Sequence, residues 1–126
     1  MLSRYQMKRG TPASQLPHGI RQDTRKHTHH IVRPEAEWVE AFLHGRMSHS
    51  EFASRYSKRL HARFAEDRAP FDELAELART NDVFLGCSCP TAAVPDVRHC
   101  HTWHALEFMA KTYPDLDVRF PASPSR

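Results

Sequence analysis

The middle of the chain carries apolar residues at the spacing of three amphipathic helices. Pro34 suits the first turn of a helix, and Gly45 suits the position just after its end. Ser48 and Glu51 have the spacing of a capping box, which predicts the start of a second helix. A third helix should begin at Pro70, because proline disfavours helical backbone at the residue before it and so ends the second helix. The positions expected to face a core are Trp38, Val39, Phe42 and Leu43, then Phe52, Tyr56, Leu60 and Phe64, then Phe71, Leu74, Ala75, Leu77 and Ala78.

Shorter apolar runs on either side of these helices predict strands. Residues 83–87 are bounded and composed like a buried strand. A last helix is predicted to begin between residues 97 and 101 and to end near Lys111, and a strand is predicted over 117–120. Weaker patterns at 3–7 and 29–33 predict two further short strands.

The order of these elements predicts the fold class. Strand, helix and strand after residue 82 form a βαβ unit, whose crossover is almost always right-handed. We therefore predict a single α/β domain over residues 1–126, with three layers and a small, mainly parallel, Rossmann-like sheet flanked by helices. Residues 10–28 show no regular period, which predicts a mobile basic loop, and we expect a frayed tail over 121–126.

Length and composition fit this prediction and exclude several classes of protein. With 126 residues, 40% of them hydrophobic, the chain is long enough for one domain with a real core. No apolar stretch approaches the ~18 residues of a membrane span, so we expect no membrane partner. The N-terminal residues lack the apolar core of a signal peptide, and three cysteines are an odd number for a disulfide framework. These features predict a reduced, cytoplasmic protein.

Positive charge is concentrated in the first third of the chain. Residues 1–33 contain seven lysines and arginines against one acid, a net charge of +6, whereas residues 34–126 carry eleven against fourteen, a net charge of −3. Such an arm could attract the phosphates of a nucleic acid, and we expect any such contact to lie within residues 4–33. Against this, Tyr5 is the one aromatic residue of the arm, whereas platforms that stack single strands use several.

The residues most suited to chemistry lie close together near the C-terminus. All three cysteines and three of the ten histidines fall within residues 87–104. Cys87 and Cys89 come at the carboxyl end of the predicted buried strand, where ligands bind in open α/β sheets. Cys100 and His101 come near the start of the following helix, where free backbone amides attract anions and lower the pKa of a cysteine.

Two functional hypotheses and one packing hypothesis fit this cluster. In the first, the protein is an enzyme or a binder of a small anion or nucleotide-like ligand with a metal-free pocket, in which Cys87, Cys100 and His101 are the catalytic residues. In this hypothesis the ligand is bound by Arg98, His99 and Thr102. Alternatively, Cys87 packs as a small apolar residue while Cys100 and the histidines only cap a helix.

The second functional hypothesis is a zinc-binding module whose basic arm contacts nucleic acid. Its predicted ligands are Cys87, Cys89, Cys100 and His104, the last two because residues four apart share a helix face. One ion could reach both Cys87 and Cys89 only if the chain bends after Cys87. The spacing C-x-C-x10-C-x3-H matches no standard structural zinc motif, so the sequence alone commits to no cofactor.

Three stretches carry a family resemblance. They are "SEFASRYSKRL" (residues 50–60), "FDELAELA" (71–78), and "VFLGC" (83–87) followed by "CHTWHALEFM" (100–109). Over residues 38–109 the chain resembles the YeaO-like proteins, domain of unknown function 488, with matches at Arg55-Tyr56, Cys87 and Cys100-His101. The resemblance implies a small cytosolic bacterial α/β domain without an assigned activity. The chain departs from it at Thr102, where many members carry arginine, and at Cys89, which is not general in the family.

Overall fold

The computed structural model describes residues 1–121 and contains three strands and four α-helices within them. In chain order these are β1 (Leu2–Gln6), β2 (Ile20–Asp23), α1 (Ala36–Leu43), α2 (His49–Glu66), α3 (Ala69–Thr80), β3 (Val83–Cys87) and α4 (His101–Thr112). Short 3-10 turns at Ala13–Gln15 and Val97–His99 complete the described elements.

The three strands form one parallel sheet in the order β1-β3-β2. Val83 of the central strand pairs with Leu2 on one side and with Ile20 on the other. On the other side of β1, a single isolated parallel bridge joins Leu2 to Val118. The sequence predicts a strand over 117–120, and the structure shows this one bridge in its place. The predicted α/β class, with a small parallel sheet flanked by helices, is confirmed.

The core lies between one face of the sheet and the helices. Leu2, Val83 and Leu85 are fully buried there and pack with apolar residues of α2, α3 and α4. The predicted cap of α2 is also present, because the Ser48 side chain accepts a hydrogen bond from the Glu51 amide at 3.1 Å. The helical residues buried in this core are Phe52, Tyr56, Leu60, Phe71, Leu74, Ala75, Ala78, Ala105, Leu106, Phe108 and Met109.

The second strand lies earlier in the chain than its predicted position. Instead of residues 29–33, the structure pairs Ile20–Asp23 with β3, inside the segment expected to be an irregular loop. An edge strand with Ile20 as its one apolar residue has too little alternation to be recognised. Residues 29–33 instead form turns that insert Val32 into the core, where its carbonyl accepts a hydrogen bond from the Tyr56 hydroxyl.

Two further predictions concern a membrane-spanning helix and the C-terminal tail. Within residues 1–121, no helix combines the length and apolar character needed to cross a bilayer. The predicted frayed tail over 121–126 falls, apart from its first residue, outside the described residues.

Candidate functional site

Three cysteine sulfurs meet where the central strand ends and the last helix begins. Cys87 is the last residue of β3, Cys89 follows in the loop, and Cys100 is the N-cap residue of α4. The three Sγ atoms all lie within 4.8 Å of one another. Cys87 and Cys100 are buried and Cys89 is half-buried, and none of the three forms a disulfide. The expected Cys/His cluster at this edge of the sheet is therefore seen.

Strand β1 fixes the loop that carries Cys89. Arg4 is buried, and its Nη2 donates to the Cys89 carbonyl at 2.7 Å. Gln6 is two residues further along the same face, and its Nε2 donates to the Pro90 carbonyl at 2.6 Å and to the Ser88 carbonyl at 3.2 Å. These bonds hold the bend after Cys87 that brings both sulfurs of the C-x-C pair to one place.

A second contact of Arg4 reaches the sulfur of Cys100 through Thr102. The Arg4 Nε donates to Thr102 Oγ1 at 2.9 Å, and that hydroxyl donates to Cys100 Sγ at 3.2 Å. Thr102 is fully buried. It therefore contacts Cys100 from inside the protein, whereas the sequence predicted that it would bind a ligand directly.

The ring of His101 is buried and held in one orientation. The Thr24 hydroxyl donates its proton to the Gly86 carbonyl at 3.0 Å, so at the 2.9 Å contact with His101 Nε2 the hydroxyl accepts. His101 consequently carries a hydrogen on Nε2 and turns Nδ1 toward Cys100 Sγ, 3.9 Å away. The structure thus brings Cys100 and His101 next to each other.

The contacts of the cluster favour the thiolate form of Cys100. Hydrogen bonds from the Cys87 and Cys89 side chains and the neighbouring His101 ring hold the pKa of Cys100 well below its usual range, despite burial. The same bonds to Cys100 and Cys87 raise the pKa of Cys89. For His101, burial alone would lower the pKa, but the charge of Cys100 and bonds to Cys100 and Cys87 raise it to about 10. In the metal-free cluster both shifts favour a thiolate on Cys100 beside a protonated His101.

His104 lies outside the sulfur cluster, although it was predicted to be the fourth zinc ligand. Cys100 has extended backbone (φ −80°, ψ 146°) and precedes the helix, so the helical rule that brings residues four apart onto one face does not apply to this pair. The His104 Nε2 instead lies 3.0 Å from His49 Nε2, and its Nδ1 lies 3.0 Å from the Glu107 carboxylate. Of the predicted zinc ligands, the structure brings together the three cysteines.

The other two predicted ligand-binding residues differ in position. Arg98 is exposed and donates to the Asp96 carboxylate from Nε and Nη2, at 3.0 and 2.7 Å, and it does not line the cavity beside the cysteine cluster. His99 lines that cavity and stacks on the ring of His49, with 3.9 Å between ring centroids. Arg98 therefore forms an ion pair with Asp96 at the surface, whereas His99 faces the cavity where a ligand would bind.

The cysteine cluster forms part of the wall of a cavity of about 360 Å³. Apolar side chains of α1 and the start of α2 also line it, and the loop after β2 contributes three basic side chains. The lining outside the cluster includes Arg25, Lys26, His27, Val39, Phe42, Leu43, Phe52 and Val94. A volume of this size is at the lower end of the range for small-molecule pockets.

Several cations of the N-terminal arm are engaged within the protein. Arg4 is buried against the cluster, Arg25 pairs with Asp23 at 2.8 Å, and Lys26 pairs with Glu40. These pairs reduce the positive charge that the arm presents to solvent. Contact with nucleic acid through residues 4–33 stays a prediction.

Sequence reasoning missed Arg4, Gln6 and Thr24 as supports of the cluster. Arg4 and Gln6 are two positions apart on a strand that begins with a buried leucine, so the alternation of that strand was the available signal. Thr24 has no such signal, because its role depends on the position of β2, which the sequence did not reveal.

Comparison with known proteins identifies no family for this chain. No protein-family model, curated protein sequence or solved structure matches the chain. The resemblance to domain of unknown function 488 therefore stays a prediction, and the function must be argued from the site.

Proposed function

We propose that this domain binds a thiophilic divalent metal ion, most suitably Zn²⁺, through Cys87, Cys89 and Cys100, beside a pocket for a small ligand. The observation that carries the proposal is the convergence of three sulfurs within 4.8 Å of one another. In tetrahedral zinc sites with Zn–S bonds of about 2.3 Å, the sulfurs lie roughly 3.8 Å apart. Small side-chain rotations would bring the three cysteines to that spacing.

His101 is the candidate for the fourth ligand in place of His104. Its Nδ1 lies 3.9 Å from Cys100 Sγ, close to the roughly 3.6 Å expected between sulfur and nitrogen ligands of one zinc ion. Because His101 lies outside the group of atoms within 4.8 Å of one another, coordination would require its ring to move toward the other sulfurs. The bond from its Nε2 to Thr24 keeps a hydrogen on that nitrogen, so a bound ion would displace the proton of Nδ1 and coordinate there. Three cysteines and one histidine are a common ligand set for structural zinc.

The cavity next to the cluster supports binding of a small ligand with an apolar body and a negatively charged group. Val39, Phe42, Leu43 and Phe52 offer apolar surface, while Arg25, Lys26 and His27 supply positive charge. Salt bridges to Asp23 and Glu40 already compensate part of that charge. A monoanionic ligand therefore fits this wall better than a polyphosphate does.

A reactive thiolate without metal is the second candidate function. The Thr102 hydroxyl, itself held by Arg4, donates to Cys100 Sγ, and this arrangement stabilises a thiolate whether or not a metal is bound. Cys100 would then act as a nucleophile with His101 as its acid–base partner. Cys89 has no necessary part in this pair, whereas the metal site needs it.

Metal analysis of chains purified without an affinity tag separates the two candidates. We expect about one zinc per chain in the wild type and in the control variant Ser88→Ala, and little metal in Cys89→Ser and Cys100→Ser. Ser88 is the matched control because it lies between Cys87 and Cys89 but has no thiol. A metal-free wild type with one cysteine that alkylates rapidly at about pH 6–7 would refute the metal centre and support the reactive thiolate.

The unpaired thiols of the cluster also indicate a cellular compartment. Three unpaired thiols in one cluster would be exposed to oxidation outside the cell, whereas a reducing environment preserves them. We therefore propose the cytoplasm, with the cluster as the supporting observation.

A further inference from the structure

A second group of metal-binding side chains lies between α2 and α4, apart from the cysteine cluster. His49 is the first residue of α2, and His104 lies in the first turn of α4. Their Nε2 atoms are 3.0 Å apart. The side chain of His104 is 15% exposed and His49 is partly exposed, so ions in solution can reach both rings.

Glu107 determines which nitrogen of His104 faces His49. The carboxylate of Glu107 lies 3.0 Å from His104 Nδ1, and an ionised carboxylate can only accept, so Nδ1 carries the hydrogen. The lone pair of the neutral ring is then on Nε2, where it accepts a hydrogen bond from His49 Nε2–H, and a bound ion would take the place of that hydrogen. A carboxylate behind a histidine in this way is the arrangement that orients metal-binding histidines in proteins.

The separation of the two nitrogens indicates the type of metal. For metal–nitrogen bonds of about 2.0–2.1 Å, nitrogens 3.0 Å apart subtend an angle of roughly 95° at the ion, whereas a tetrahedral angle needs about 3.3–3.4 Å. An angle near 90° corresponds to adjacent positions of a square-planar or octahedral ion, the geometries of Cu²⁺ and Ni²⁺.

We propose that His49 and His104 form a bis-imidazole site for a tetragonal or octahedral transition-metal ion such as Ni²⁺ or Cu²⁺. Glu107 positions His104, and the ring of His99, stacked on His49 with centroids 3.9 Å apart, limits the rotation of the second ligand. The site joins the first turns of two helices. It shares no ligand with the cysteine cluster, so it does not depend on the proposed function.

The test is a Ni²⁺ titration of the full chain, first saturated with Zn²⁺ so that the cysteines are occupied. Calorimetry measures the number of sites and the affinity, and NMR of the imidazole nitrogens shows which rings the paramagnetic ion broadens. We expect one Ni²⁺ per chain, with broadening centred on His49 and His104. The variants His49→Gln and His104→Gln should abolish this binding, and Glu107→Gln should weaken it by about 10–100-fold.

The control is His29→Gln, which removes an exposed histidine from another part of the surface and should leave binding unchanged. Glu107 is exposed, so its variant is expected to fold even if removal of a ligand histidine disturbs the helix junction. Equal affinity in wild type and Glu107→Gln would overturn the proposal. So would broadening centred on other histidines, or Ni²⁺ binding that is lost only when cysteines are replaced.

Discussion

His30 predicts a loss of stability at mildly acidic pH that can be worked out from its contacts. The Nδ1 of its ring accepts a hydrogen bond from the Val32 amide at 3.1 Å, and Nε2 lies 2.6 Å from Gln22 Oε1, to which it must donate. The neutral ring satisfies both contacts. Protonation would place a second hydrogen on Nδ1, pointing at the Val32 N–H, and this bond would be lost.

The magnitude follows from the pKa of this histidine. Burial, together with the nearby positive charges of His101 and Arg33, lowers the pKa of His30 from 6.5 to about 4. The unfolded chain therefore binds a proton as the pH falls below 6.5, before the folded chain does. The stability contributed by the neutral ring is present above pH 6.5 and is lost as the pH falls toward 4, by about 3 kcal/mol in total.

Urea denaturation of wild type and His30→Asn at about pH 7 and about pH 4.5 measures this effect, and the wild type should lose about 2–3 kcal/mol more than the variant. Asparagine is chosen because its side-chain oxygen can accept from the Val32 amide and does not titrate. Acid release of a metal affects both proteins and cancels in the difference. Equal losses in the two proteins would refute the assignment, and the exposed neighbour in His29→Asn should behave as the wild type does.

Three further predictions concern buried contacts, each measured by urea denaturation. Arg4→Met should lower the free energy of unfolding by about 2–4 kcal/mol, because Thr102 Oγ1 and the Cys89 carbonyl lose a charged donor. The control Arg21→Met, at an exposed position, should change it little, and equal effects of the two variants would contradict the role of Arg4. Tyr56→Phe should lower it by about 1–3 kcal/mol, since the buried Val32 carbonyl loses its donor, and an unchanged midpoint would argue against that bond. Leu60→Ala, in the closed core, should lower it by about 2–5 kcal/mol, and a loss below about 1 kcal/mol would mean that the core refills the cavity.

The helices and the central strand could be predicted from the sequence because their signals are local. Ser48 caps α2 as its spacing with Glu51 indicates, and the apolar positions of α2 and α3 recur at helical intervals. Residues 83–87 were recognised as a strand because a buried central strand is apolar throughout. The position of the cysteine cluster followed from these two kinds of element.

The features that the sequence did not predict depend on contacts between residues far apart in the chain. Ile20–Asp23 became a strand because β3 offered it an unpaired edge, which no local pattern of four largely polar residues could indicate. The role of Arg4 arises from a partner 98 residues away. His104 was assigned to the cluster by helical spacing, and the assignment failed because the helix begins one residue after Cys100.

The alignment of β1 against β3 ties the integrity of the site to the pairing of the sheet. Leu2, Arg4 and Gln6 lie opposite Val83, Leu85 and Cys87, so the residues that anchor the cysteine loop share a face with the core. A shift of one residue along the ladder would turn Arg4 and Gln6 to the far side of the sheet. A chain misaligned in this way could keep all four helices and still lose the scaffold around its thiols, so sulfur reactivity would report strand alignment.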